Sequence, residues 1–285
     1  MTDAITLECP AKVNLLLRVL AREADGYHGI ETLFCRIALA DELRARKIES
    51  GIELTVSGAD LGPAENNLAW RAADAVLEAT GRRFGVALDL IKRIPPGTGL
   101  GGGSSDAATA LRAVNELANR AVPRAELLHM AARLGADVPF FVIETSCALA
   151  WGHGQRLLRI PALPSMPILL VLPDSPVATR DAYGWIDEIH RSAGPRGSVA
   201  LDLDVLGRWS DIARLAGNDF ESAVFGRFPQ VRAAFEALAR THPILCRMSG
   251  SGSALFGVYR AERDRDDAAA QLGTRYGRVI ATVST

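Results

Sequence analysis

Pro95-Pro-Gly-Thr-Gly-Leu-Gly-Gly-Gly-Ser-Ser-Asp-Ala-Ala108 is the stretch on which the reading of this chain turns. Five glycines fall between positions 97 and 103, between two regular patterns. Upstream, Gly85 to Ile94 alternates apolar residues at Val86, Leu88 and Leu90 until Pro95-Pro96 ends it, which predicts a strand. Downstream, Ser105 to Ala118 is alanine-rich and reads as a helix. A second helix follows over Pro123 to Leu134, with Leu127, Leu128, Ala131 and Leu134 at helical spacing and Gly135 as its stop. Glycine lets a backbone approach a ligand closely and take positive φ, while a helix start offers unpaired N–H groups and the positive end of a dipole. Phosphate is the natural guest. A merely flexible connector is not normally pinned between a strand and an alanine-rich helix.

Several phosphate loops share parts of this pattern. Gly97-x-Gly99-x-x-Gly102 meets the dinucleotide fingerprint, so an NAD-linked oxidoreductase is the first rival. That fingerprint needs a strand ending in Asp or Glu about 20 residues on, and here a second helix comes instead. Gly97-x-x-x-x-Gly102 also opens a Walker A motif, but Gly103 stands where its lysine belongs. No V-A-I-K, H-R-D or D-F-G follows, which sets the protein kinases aside.

Composition narrows the field further. With 285 residues, 48% hydrophobic and 23% charged, the chain is long enough for one large domain or two ordinary ones. Lys and Arg number 32 against 33 Asp and Glu, so no global positive field exists to hold nucleic acid or an anionic membrane. This balance, and the lack of an aromatic-basic stripe, disfavour an RNA-binding module. The longest apolar stretches, such as Met166 to Leu172 and Asp137 to Ile143, fall far short of the roughly 20 residues of a membrane-spanning helix. The first residues carry acids and no basic or apolar leader segment, so a cytoplasmic protein is expected. Nothing calls for more than a monomer or weak homodimer. Cys9, Cys35, Cys147 and Cys246 are scattered, with no zinc-ligand spacing, and read as free, buried thiols.

Along the chain, runs over Thr6 to Leu20, Thr32 to Leu43 and Ile52 to Val56 are broken by turn signals at Asp25-Gly26, Asp41-Glu42 and Ser57-Gly58, and read as an antiparallel sheet. Leu68, Ala72 and Val76, beside Ala69, Ala73 and Leu77, form an amphipathic helix capped by Asn66 or Asn67 and stopped by Gly81. Pro161, Pro164, Pro167 and Pro173 bracket a strand at Ile168 to Leu172, which sets a domain boundary near 160 and gives domains 1–160 and 161–285. The second half then reads as helices near 179–190, 211–224 and 229–240, strands at 244–248 and 254–259, a helix at 261–272 and a strand at 278–283. Residues 191–204 read as a loop. The order fits a split β-α-β sandwich, within an α+β fold class.

Local pattern leaves the polar candidates open. Asp137, between Gly135 and Val138-Pro139, is a natural N-cap. Lys12 and Asn14 share one face of a strand, with Val13, Leu15 and Leu17 on the other; a solvated face is the ordinary outcome for such a lysine. Tyr27 and His28 could simply start the strand that returns from the Asp25-Gly26 turn. Asp106 sits in the first turn of its helix, where an acid favours the positive end, and reads as structural.

Taken with the glycine loop, four further segments make the chain resemble the GHMP small-molecule kinases: Pro10-Ala-Lys-Val-Asn-Leu15, Asp25-Gly-Tyr-His28, Leu134-Gly-Ala-Asp-Val-Pro139 and Met248-Ser-Gly-Ser-Gly-Ser253. The resemblance covers nearly the whole chain. It is strongest to the branch whose acceptor alcohol is methylerythritol linked to cytidine diphosphate, in isoprenoid-precursor synthesis. It implies a two-domain fold, the N-terminal domain like ribosomal protein S5 and the C-terminal domain ferredoxin-like, with ATP as co-substrate. Pro95, Pro96, Gly97, Thr98, Gly99, Leu100, Gly101, Gly102, Gly103, Ser104 and Ser105 would hold its phosphates. The resemblance also implies Asp137 as the base and Lys12 as the cation that orients it and stabilises charge. Asn14, Tyr27, His28, Thr179 and Tyr183 would bind the substrate, with His28 on the cytosine edge and the two tyrosines stacking. Many of these kinases have Ser-Ser directly after Gly-Leu-Gly and use a serine with magnesium, whereas here Gly102 and Gly103 intervene, so no metal ligand is assigned. Mg2+ is still expected, to neutralise phosphate charge. Gln155 stands where the family pattern leads one to expect Glu.

Overall fold

The computed structural model describes residues 3–23, 26–190 and 202–285. Two compact units divide the chain, and neither is a single stretch. One gathers Met1–Ala11, Leu39–Pro96 and Gly101–Thr145; the other gathers Lys12–Ala38, Gly97–Leu100 and Ser146–Thr285. Two long strands, β1 (Ala4–Arg22) and β2 (His28–Ile48), each pass through both. From Ala11 to Leu17 every residue of β1 is buried, so this part of the strand has no solvated face.

In the first unit β3 (Ile52–Ser57) leads through α1 (Leu68–Ala79) to β4 (Gly85–Ile91), and α2 (Gly102–Leu117), α3 (Arg124–Leu134) and α4 (Val138–Val142) follow. Strand β4 pairs antiparallel with Glu42 to Ile48 of β2 and parallel with β3. The parallel pair corrects the expectation of an all-antiparallel sheet. A helix between two neighbouring strands is a crossover connection, and crossovers join parallel strands. Asn67 caps α1 by accepting a hydrogen bond from Ala69 N, and Ala69, Ala72, Ala73, Val76 and Leu77 form its buried stripe. Alanines on both helices let α1 and α2 pack closely.

The second unit continues with β5 (Cys147–Gly152) and β6 (Arg156–Arg159), a hairpin for which the sequence gives no clear signal, whose first strand pairs with Ile30 to Cys35 of β2. Next come β7 (Pro167–Leu172), α5 (Thr179–His190), α6 (Leu203–Leu206), α7 (Trp209–Leu215), β8 (Gly217–Asn218), α8 (Phe220–Arg227) and α9 (Pro229–Ala239). Strands β9 (Leu245–Met248) and β10 (Leu255–Val258), helix α10 (Glu262–Leu272) and β11 (Arg278–Val283) complete it. The order β11-β7-β10-β9, antiparallel throughout, gives the ferredoxin-like sheet. Its centre, β7, is buried at every position, and Leu169, Val171, Phe220, Leu238 and Tyr259 belong to one core. The single helix expected over 211–224 is instead α7 and α8 with β8 between them, because Gly217-Asn218 leaves the helical path and pairs parallel with Leu16 and Leu17 of β1. Of the loop read at 191–204, residues 191–201 lie outside the described residues, and Leu203 and Asp204 open α6.

Candidate active site

Strand β4 delivers the chain into the glycine loop. Gly97, Gly99 and Gly101 take φ of 71°, 81° and 75°, a region costly for any residue with a Cβ. Gly101 is the left-handed residue before α2, and the first backbone bond of that helix runs from Ser105 N to Gly101 O. The helix therefore begins at Gly102, three residues earlier than its alanine-rich part suggests, and its opening N–H groups belong to Gly102, Gly103 and Ser104. Such N–H groups have no partner within a helix and, with the helix dipole, form an anion site.

The loop's carbonyls are engaged elsewhere. Leu100 O accepts from Lys12 N at 2.9 Å, Thr98 O from Ala254 N at 3.1 Å, and Gly99 O from Ser249 Oγ at 2.9 Å. The oxygens that would repel a phosphate are thus tied to the protein. Ser249 belongs to the late glycine segment Met248 to Ser253 and Ala254 follows it directly, so this segment packs on the first loop. A Cβ on Gly99 would lie 2.2 Å from Ser249 O, and one on Gly250 would lie 3.2 Å from Gly99 Cα.

The same late segment holds the candidate cation in register. Asn14 Oδ1 accepts from Lys12 Nζ at 2.6 Å and from Gly250 N at 2.9 Å, and Asn14 Nδ2 donates to Thr32 Oγ1 at 2.8 Å. Lys12 and Asn14 are 3% and 2% exposed, which replaces the solvated face of the local reading with a buried one. Lys12 Nζ also lies 5.3 Å from the centre of the Phe34 ring. Asn218 braces the late segment from below by donating to Met248 O and Gly250 O, each at 2.8 Å, while its own Oδ1 accepts from Phe220 N.

In the first unit Asp137 occupies the N-cap position of α4, but its side chain makes no capping hydrogen bond. The side chain is half-buried. Asp106 differs from its expected setting: it lies in the second turn of α2, not the first, and is ion-paired there. Lys92 Nζ donates to Asp106 Oδ2 at 2.6 Å and to Asp41 Oδ2, while Asp41 Oδ1 accepts from the backbone N of Arg93 and of Ile94. All three side chains are buried. Burial pushes the Asp106 carboxyl up to about 7 against the pull of Lys92, with Asp41 adding to the rise. On Lys92 burial works to lower the pKa, and the two carboxylates outweigh it, leaving it raised. Lys92 stands just before the glycine loop and Asp106 just after it, so this cluster staples the two ends together.

The remaining candidates cluster in the second unit. His28 is buried, its ring stacked on Tyr183 at 5.2 Å and 16°, and its Nε2 is 2.6 Å from Asp187 Oδ1. Tyr27 is 68% exposed and tilted over His153 at 5.4 Å, so the two neighbours point to different surroundings. Thr179 Oγ1 is 2.9 Å from Ser251 Oγ, which links the start of α5 to the late glycine segment. Of the Asp25-Gly26 turn, Asp25 lies outside the described residues, and Gly26 has φ of 86°. Gln155 Oε1 accepts from His153 N and closes the β5–β6 turn. Among the described residues no group of three or more His, Cys, Asp or Glu is placed to hold a metal ion, and no helix is long and apolar enough to cross a membrane.

Comparison with known proteins agrees with this geometry. Residues 67–145 match the GHMP kinases N terminal domain and residues 199–278 the GHMP kinases C terminal domain. The 4-diphosphocytidyl-2-C-methyl-D-erythritol kinase of Citrifermentans bemidjiense is 37% identical over 282 residues, 99% of each chain. That of Deinococcus radiodurans is 40% identical over 269 residues, 93% of this chain and 88% of that one. A crystal structure of 4-(cytidine 5'-diphospho)-2C-methyl-D-erythritol kinase superposes with a TM-score of 0.83 at 37% identity, covering 99% of this chain and 100% of that one. The chain belongs to the GHMP kinases. Likeness to L. major mevalonate kinase in complex with R-mevalonate, at a TM-score of 0.74 and 11% identity, reaches only the fold.

Membership among the GHMP kinases removes the NAD-linked and RNA-binding alternatives, and the missing β-α-β context is visible directly, since α2 is followed by α3 and not by a strand. Several residues that build this kinase site were not found in the sequence. Lys92 and Asn218 carry no motif, and Asp41-Glu42, a turn signal by composition, lies inside the unbroken strand β2 with Asp41 buried; the roles of all three depend on partners far away in the chain. The one local signal was Gly217-Asn218-Asp219, a breaker cluster inside a helix-like stretch.

Proposed function

We propose that the chain transfers the γ-phosphoryl group of ATP to the 2-hydroxyl of 4-diphosphocytidyl-2-C-methyl-D-erythritol, in the non-mevalonate route to isoprenoid precursors. The observation that carries this reading is the loop from Gly97 to Ser105, with its carbonyls held by protein donors and helix N–H groups at its far end. Phosphoryl transfer asks mainly for positioning and charge stabilisation, plus a group that accepts the proton of the attacking hydroxyl. Asp137 takes that proton as the acceptor oxygen bonds to the γ-phosphorus and the bond to the ADP oxygen breaks. Lys12, held by Asn14, orients the acceptor and stabilises developing charge. Asn14 gives one Nδ2 hydrogen to Thr32, and its other Nδ2 hydrogen serves a substrate oxygen. Pro95 through Ser105 hold the ATP phosphates, and Tyr27, His28, Thr179 and Tyr183 receive the cytidine side of the substrate. Mg2+ would accompany the triphosphate and supply charge neutralisation; no protein ligand is assigned to it. Residues 1–160 and 161–285 are the two domains of this reading, the protein working in the cytoplasm as a monomer or weak homodimer.

The test is the Asp137→Asn variant assayed for ADP release with the cytidylated substrate. A positioned base supplies about 10² to 10⁴ in rate, so turnover should fall on that scale while ATP still binds. Retention of more than about half of wild-type turnover would remove Asp137 from the mechanism.

A further inference from the structure

We propose that Asp187 makes the kinase prefer a cytosine over a uracil base by fixing which ring nitrogen of His28 carries the proton. This rests on the reading of the substrate as a cytidine diphosphate derivative. Tyr183 and Asp187 are four residues apart on α5 and so share a face of that helix. One turn therefore supplies both constraints on the imidazole. Tyr183 stacks on the ring and sets its plane, and is itself held edge-on by Phe220 at 5.0 Å and 86°. Asp187 takes Nε2 at 2.6 Å and sets the ring's rotation within that plane.

The hydrogen-bond chemistry then follows. An ionised carboxylate can only accept, so Nε2 must be the donor. A neutral imidazole with its proton on Nε2 keeps a lone pair on Nδ1, which makes Nδ1 an acceptor. Cytosine presents an amino donor at position 4, where uracil presents a carbonyl oxygen. An acceptor fixed at that point pairs with cytosine and faces a second acceptor in uracil. A site built to bond a donor rejects an analogue that lacks it more strongly than an apolar pocket rejects a change in size. Asp187 touches no substrate atom in this account; it is a positioning residue acting through His28.

The experiment compares kcat/KM for the cytidine diphosphate and uridine diphosphate forms of the same alcohol, in the wild type and in Asp187→Asn. The asparagine amide can donate to Nε2 and so drive the proton to Nδ1, turning the reading atom from acceptor to donor. The wild type should favour the cytidine compound by at least about tenfold. In Asp187→Asn that ratio should drop by about tenfold or more, with the uridine compound gaining in absolute terms and the KM for ATP unchanged. The side chain of Asp187 is 36% exposed, so the variant should fold, and its circular dichroism melt verifies this. An equal loss for both substrates would mean that Asp187 only supports the local structure, and would overturn the proposal. A wild-type ratio near one would also overturn it while leaving the kinase assignment standing. A wild type inactive on the cytidine compound would instead overturn the substrate reading itself.

Discussion

Gly99 and Gly103 stand four residues apart in one loop and are glycine for different reasons. Gly99 has φ of 81°, and a Cβ there would sit 2.2 Å from the carbonyl oxygen of Ser249. Gly103 is exposed in the first turn of α2, and its Cβ would meet nothing nearer than Leu68 Cδ1 at 3.9 Å. Gly99→Ala should therefore lower stability by roughly 1–3 kcal/mol and weaken ATP together with it, through the displaced late segment. Gly103→Ala should unfold no earlier than the wild type, since alanine favours a helix by about 0.5–1 kcal/mol over glycine. Its ATP KM should still rise about tenfold if phosphate rests against those first N–H groups. Thermal melts beside ATP titrations of kcat/KM check both. An unchanged KM in a well-folded Gly103→Ala would move the phosphates off that end of the loop. Lys12 is a contrasting case: spacing along β1 suffices to pair it with Asn14, but not to reveal that the pair is buried.

Strand β4 and helix α2 are joined by more than the loop between them. Lys92 at the end of one and Asp106 in the other meet over Asp41 from β2, in a buried group of one cation and two carboxyl groups. Removing the cation leaves two acids facing each other without compensation, so Lys92→Met should cost about 3–5 kcal/mol in urea unfolding. A cost below about 1 kcal/mol would mean that the cluster holds nothing. The pH response has a definite sign. An unfolded aspartate releases its proton near 3.8, whereas the folded Asp106 keeps its proton up to about 7. Between these values the folded chain binds more protons, so this group's stabilisation declines as pH rises from about 4 to about 7 and is lost above that. In Asp106→Asn this part of the slope should vanish, seen as the difference between the two pH–stability curves. These partners are long-range, and no local pattern announces them. The glycine loop, α1, α3 and the strands of the ferredoxin-like sheet follow from period and punctuation, which are local. Lys92 and Asp41 are 51 residues apart and found each other only through the β2–β4 ladder. The parallel β3–β4 pair follows from the helix between those strands, a connection that the turn signals alone do not convey. The α7–α8 break depended on β1, some two hundred residues away, which draws Asn218 into pairing with Leu17.

For the molecule as a whole, the two compact units interleave along the chain, and the loop itself is divided between them, with Gly97–Leu100 in one and Gly101 onward in the other. A cut at residue 160 would leave Thr98, Gly99 and Leu100 in a fragment that lacks Ser249 and Ala254. The fragment 1–160 should accordingly show no ATP binding by calorimetry, and adding 161–285 in trans should restore it only if the halves assemble; ATP binding by 1–160 alone would mean that the loop needs no late support. The same tethers set a timetable for synthesis. The loop emerges from the ribosome about 150 residues before the serine and alanine that secure its carbonyls, and at about 5–20 residues per second that interval lasts on the order of ten seconds. During it the nascent chain carries a glycine loop with unanchored peptide groups and no means of gripping a nucleotide. ATP therefore cannot act as a template for the early chain, and its first encounter with a competent loop must wait until translation has passed Ala254.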